Sequence, residues 1–162
     1  MNNLSTANLQ ALDGKNAIAR RFTKVRSAIM FVDPAVAGWE NLVKGVKPGI
    51  EVIILDRGLD GVKQISKVLE SHTGITSVHI VSHGSPGSLK LGNARLSCQN
   101  LDKYGSLLQQ WRGALDGADL LIYGCNVAFD PTPNFRDGEE RGEGDGGEVG
   151  FIQRIALLTG AN

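Results

Sequence analysis

"HIVSHGSPG" occupies residues 79–87 and "LLIYGCNVA" residues 120–128. Each is an apolar run that stops at a reactive side chain beside a glycine: His83-Gly84 in the first, Gly124-Cys125 in the second. Two buried strands that end alike raise the question of what meets at their ends.

Neighbouring stretches supply the frame. "SAIMFVD" (residues 27–33) and "EVIILD" (51–56) are two further short apolar runs, ending in Asp33 and Asp56. "VAGWENLVKGV" separates them with helical spacing, and "GLDGVKQISKVLESH" puts Val62, Ile65, Val68 and Leu69 on one helical face. Continuously apolar strands alternating with amphipathic helices predict an α/β protein whose central sheet is mostly parallel and covered on both faces, a three-layer α/β/α sandwich. Between the third and fourth strands the rhythm changes. "SLKLGNARLSC" alternates apolar and polar residues around Gly92-Asn93, which predicts a small β-hairpin. "NLDKYGSLLQQWRGAL" then aligns Leu101, Tyr104, Leu108, Trp111 and Leu115 as one helix, with Asn100 as its N-cap. A last helix over 149–158 places Phe151, Ile155 and Leu158 on one face.

Two segments fall outside this pattern. Residues 1–26 form an N-terminal arm with a basic cluster of Lys15, Arg20, Arg21, Lys24 and Arg26, ahead of a domain over 27–162. Residues 129–148 are polar and glycine-rich and read as an exposed acidic loop; from Arg136 to Glu148 it holds six acids against two arginines.

The totals exclude several classes. A chain of 162 residues with 41% hydrophobic content can build one core, and 17 basic against 17 acidic residues give no reason to expect nucleic acid as a partner. No apolar stretch reaches the roughly 20 residues of a membrane span. The N-terminus lacks the uninterrupted apolar core of a signal peptide, which leaves export by a signal-independent route and a cytoplasmic location both open. Cys98 and Cys125 make no disulfide framework, and no CxxC or HxxxH spacing suggests zinc.

In an open parallel sheet, sites collect beyond the carboxyl ends of the strands. Asp33, Asp56, His83 and Cys125 all end strands, so right-handed crossovers bring them to one edge. Imidazole raises the thiolate fraction of a neighbouring thiol, and the thiolate is the nucleophile. Acyl transfer also needs N–H donors aimed at the oxyanion, and the backbone N–H groups of Gly84 and Cys125 are candidates. His83 and Cys125 are therefore the candidate base and nucleophile, and Asp33 and Asp56 the candidate substrate-pocket residues. His79 reads as packed within its strand, His72 as a solvated helix-end residue near the C-terminal dipole, and Cys98 as structural.

An apolar strand ending in His-Gly, a hairpin and helix, then an apolar strand ending in Cys is an order that resembles the caspase-like cysteine peptidases. More closely, "HIVSHGSPGSLKLGN", "LLIYGCNVA" and "FIQRIALLTGA" are similar to a bacterial domain of unknown function, number 4347, that commonly opens long, repeat-rich surface or secreted proteins. That likeness spans residues 28–161, with a longer insert over 129–147. It implies a caspase-like fold and thiol endopeptidase chemistry, with His83 as general base, Cys125 as nucleophile, and Gly84 and Cys125 lining the oxyanion hole. It further implies a peptide or protein substrate, the chain's own larger protein included, no cofactor, and calcium as a conceivable activator. In that setting Arg136, Arg141 and Asp137 are the candidate scissile residues. The rival reading is a non-catalytic caspase-fold interaction or export-linked module with a vestigial dyad. A flavodoxin-like nucleotide binder is weaker, because "VDPAVAGW" offers no glycine-rich phosphate cradle.

Overall fold

A computed structural model describes residues 28–128 and 150–162. The arm over 1–26 and the acidic loop over 129–148, with its scissile candidates, lie outside the described residues.

Four strands form a fully parallel sheet: β1 (Ala28–Val32), β2 (Ile50–Ile54), β3 (Ser77–Val81) and β7 (Asp119–Tyr123), in the order β2-β1-β3-β7. The register sets Ile29 beside Val78 and Val78 beside Leu120. With a side-chain period of two, Ile29, Phe31, Val78 and Ile80 share one face, and each is no more than 2% exposed. The helices α2 (Gly61–Leu69), α3 (Leu101–Gln110), α4 (Arg112–Leu115) and α5 (Phe151–Thr159) bury Val62, Ile65, Leu69, Leu101, Leu108, Leu115, Phe151 and Ile155 in the same core. By contrast, α1 (Trp39–Lys44) contributes no buried residue. The mixed α/β class with a parallel sheet is observed. Among the described residues, the expected three layers reduce to a sheet with one densely packed helical face.

Local sequence explains most elements. Asp60 caps α2, its Oδ1 accepting from the amides of Val62 (2.9 Å) and Lys63 (3.2 Å). Apolar steps of three and four residues then turn Val62, Ile65 and Leu69 inward, while Val68 is only partly buried. The hairpin of β5 (Ser88–Leu91) and β6 (Ala94–Ser97) closes as read, with Leu91 opposite Ala94 across Gly92-Asn93. Gly92 has φ +60°, the left-handed value that the first central position of a II′ turn demands. The pair β4 (Gly84–Ser85) extends the hairpin into a three-stranded antiparallel sheet.

Three expectations need correction. The helix read over 100–115 is two helices, broken at Trp111. There the amide of Trp111 donates to Leu108 (3.1 Å), an i→i−3 bond that tightens the last turn, and the indole Nε1 donates to Ser66 Oγ (2.8 Å). Asn100 precedes α3 without capping it through its side chain. Its Oδ1 accepts from Ser97 N (2.8 Å) and its Nδ2 donates to Arg95 O (2.7 Å), closing the end of the hairpin. The last helix starts at Phe151 and runs to Thr159, beyond the expected 158.

Candidate functional site

Because all four strands are parallel, the residues following β1, β2, β3 and β7 stand at one carboxyl edge. Asp33, Asp56, His83 and Cys125 are those residues. The ladder continues past the strand ends: Asp33 N donates to Val81 O (2.8 Å) and Ser82 N to Tyr123 O (3.1 Å). Val81 pairs with Tyr123, so His83 and Cys125 each lie two residues beyond one paired position of adjacent strands. Both are exposed, and the Cys125 thiol is free.

The two glycines allow the strand ends to touch. A Cβ added at Gly84 would lie 2.7 Å from Cys125 O and 3.0 Å from Cys125 N, and would overlap the Val127 side chain. A Cβ added at Gly124 would lie 3.4 Å from the Cα of Gly84. Thus the His83-Gly84 and Gly124-Cys125 backbones abut with no room for a side chain between them. The chain then turns sharply at Asn126, whose φ of 54° is one that asparagine tolerates better than most residues. Val127 folds back beneath the contact, only 5% exposed.

Hydrogen bonding also orients the backbone at the start of the hairpin. Lys90 N donates to His83 O (2.9 Å), which makes the neighbouring Gly84–Leu89 pair a non-hydrogen-bonded one. The N–H of Gly84 therefore points away from its ladder partner and is not used by the hairpin.

His83 Nε2 contacts Ala35 O at 3.0 Å. A carbonyl only accepts, so in the neutral ring Nε2 carries the proton and the Nδ1 lone pair is left as the base. Among the described residues no hydrogen bond joins the imidazole to the Cys125 thiol. Their backbones are adjacent, and their side chains share the exposed edge.

The two aspartates differ. Asp33 is 1% exposed, and both its oxygens accept backbone amides: Oδ1 from Ala35 N and Oδ2 from Gly92 N, each at 2.8 Å. Asp56 is exposed, with Oδ1 accepting from Gly58 N (2.7 Å). A cavity of about 620 Å³ reaches the residues on either side of Cys125; its described walls include Leu120, Ile122, Gly124, Asn126, Val127 and Ile152, but not Cys125, His83 or either aspartate.

The other candidates lie elsewhere. His79 is half-buried in β3; its Nε2 meets Ser77 Oγ (2.9 Å), its Nδ1 meets Tyr123 Oη (3.0 Å), and the two rings stack at 5.8 Å. His72 follows α2 and is half-buried, Nδ1 donating to Val68 O (2.7 Å) and Nε2 lying 3.3 Å from Glu51 Oε2. Cys98 is half-buried against the core at the end of β6. Sequence reading missed Ala35, since a backbone carbonyl on an alanine carries no side-chain signal; the turn signature Asp33-Pro34 just ahead of it was the available cue. Among the described residues no helix is long and apolar enough to cross a membrane, and no cluster of three or more His, Cys, Asp or Glu side chains could hold a metal ion.

A family model described as "Domain of unknown function (DUF4347)" matches residues 29–135, a span that includes both strand ends and the hairpin between them. No curated protein matches the chain.

Proposed function

We propose, for a chain that belongs to the DUF4347 family, that it is a thiol endopeptidase on a caspase-like core, acting on a peptide bond of its own larger protein. The observation that carries the reading is the contact between the His83-Gly84 and Gly124-Cys125 backbones at the carboxyl edge of adjacent parallel strands.

Each group then has one task. Nδ1 of His83 takes the proton from Cys125 Sγ, and the thiolate attacks the peptide carbonyl carbon. Negative charge gathers on the carbonyl oxygen, where the N–H groups of Gly84 and Cys125 donate to it. As the intermediate collapses, the C–N bond breaks and His83 gives its proton to the leaving amine. His83 then deprotonates a water that attacks the thioester, releasing the acid and restoring the thiol. The cavity beside Cys125 is walled largely by apolar side chains, which suits an apolar group next to the scissile bond.

The test is incubation of the wild type and Cys125→Ala, with and without calcium, followed by intact mass and identification of new termini. New termini in the wild type alone support self-processing, and a calcium requirement would identify the activator. Identical termini in both proteins, or none in either, contradict self-processing and favour the non-catalytic module.

A further inference from the structure

Resting on the thiol–imidazole reading above, we infer that Asp33 is a positioning residue for His83, acting through the backbone of Ala35 and not as a wall of the substrate pocket.

Three bonds make up this relay. Asp33 occupies the first position of the turn Asp33-Pro34-Ala35-Val36. Its backbone O accepts from Val36 N at 3.1 Å, and its Oδ1 accepts from Ala35 N at 2.8 Å. Aspartate first and proline second is the signature of a type I turn, and the side-chain bond to the residue two ahead is an Asx turn laid over it. Asp33 therefore holds Ala35 from both sides: through its amide, and through the peptide that joins it to Val36. The one remaining acceptor of that peptide, Ala35 O, receives His83 Nε2 at 3.0 Å.

The second oxygen anchors the relay. Oδ2 of Asp33 accepts from Gly92 N at 2.8 Å, at the tip of the β5–β6 hairpin. The same hairpin is bonded to the His83 backbone, since Lys90 N donates to His83 O at 2.9 Å. One buried carboxylate thus ties together the turn that orients the imidazole and the hairpin that holds its backbone. A residue 1% exposed with both oxygens occupied is not available to a substrate.

The bond to Ala35 can be separated from the bond to Gly92. In Asp33→Ser the hydroxyl can still accept from the amide two residues on but cannot reach Gly92; Asp33→Ala loses both. Two readouts are compared in the full chain: the protonated ring nitrogen of His83 by two-bond 15N–1H correlation, and the rate of Cys125 alkylation near neutral pH. The wild type and Asp33→Ser should keep the His83 proton on Nε2 and a fast thiol, even with Asp33→Ser less stable to heat. Asp33→Ala should show mixed tautomers and alkylate about tenfold more slowly.

A folded Asp33→Ala with the wild-type tautomer and rate overturns the inference, as does a folded Asp33→Ser that loses the tautomer. If Asp33→Ala does not fold, Asp33→Ser against the wild type still decides. If His83→Ala leaves the alkylation rate unchanged, the thiol–imidazole reading falls, and the tautomer alone then judges Asp33.

Discussion

The sheet presents two regions built on opposite rules. Beneath its packed face, Trp111 is 1% exposed and its indole donates to Ser66 Oγ, which in turn donates to Val62 O at 2.8 Å, so even the polar atoms of the core are paired. At the carboxyl edge the decisive contacts are between backbones, made close by Gly84 and Gly124, and the two reactive side chains stay in solvent. One region is held by side-chain volume, the other by its absence. Damage to each should therefore register differently: as lost stability in the core, as lost reactivity at the edge.

The largest stability effect belongs to the core. Trp111→Ala should cost about 3–5 kcal/mol by cavity formation, and it also removes the partner of Ser66. Chemical denaturation measures this. The alkylation rate of Cys125 in the protein that remains folded should hardly change, and a large drop would erase the division between the two regions.

Gly84→Ala should do the reverse. The new methyl meets Cys125 O and N and the Val127 side chain, and only Val127 is free to give way. Overpacking of this kind costs about 1–3 kcal/mol, less than the tryptophan cavity. Its main effect should be to push the strand ends apart and return Cys125 to the reactivity of an ordinary thiol. Wild-type alkylation kinetics in this variant would mean the abutment is incidental.

The smallest effect sharpens the core side of the comparison. Tyr104 Oη donates to Asp60 Oδ2 at 2.9 Å. Burial first, then that hydrogen bond and the negative charge of Asp60, push the phenol above its ordinary value. The folded state therefore favours the neutral phenol. Its contribution to stability is complete below a pH of about 10 and is lost as pH rises through the folded value. Tyr104→Phe should lose a little stability near neutral pH and show a shallower alkaline decline, with no effect on Cys125. An unchanged alkaline limb would contradict the contact.

The same division explains what could be read from the sequence. All four parallel strands, the hairpin and the apolar faces of α2 and α5 follow from period and apolar runs, because side-chain burial creates those patterns. The break at Trp111 was hidden, since one helical period runs unbroken through Leu108, Trp111 and Leu115 while the break itself is a backbone event. Asn100 fits the N-cap pattern at its position, yet its side chain serves the hairpin instead. Two residues of strand at Gly84–Ser85 are too few to show a period. At the edge, His83 and Cys125 were visible as reactive types at strand ends. Asp33 was visible too, but nothing in its identity distinguishes a pocket carboxylate from a buried one whose oxygens are both taken by amides. Ala35 contributes only its carbonyl and left no trace.

The central claim is that the imidazole at the end of β3 activates the thiol at the end of β7. The most direct measurement is the pH–rate profile of Cys125 alkylation in the wild type and in His83→Ala. The account predicts that wild-type Cys125 is alkylated near neutral pH about tenfold faster than a free cysteine. In His83→Ala, folded by circular dichroism, the profile should return to that of an ordinary cysteine. Superimposable profiles in the two proteins would contradict the account.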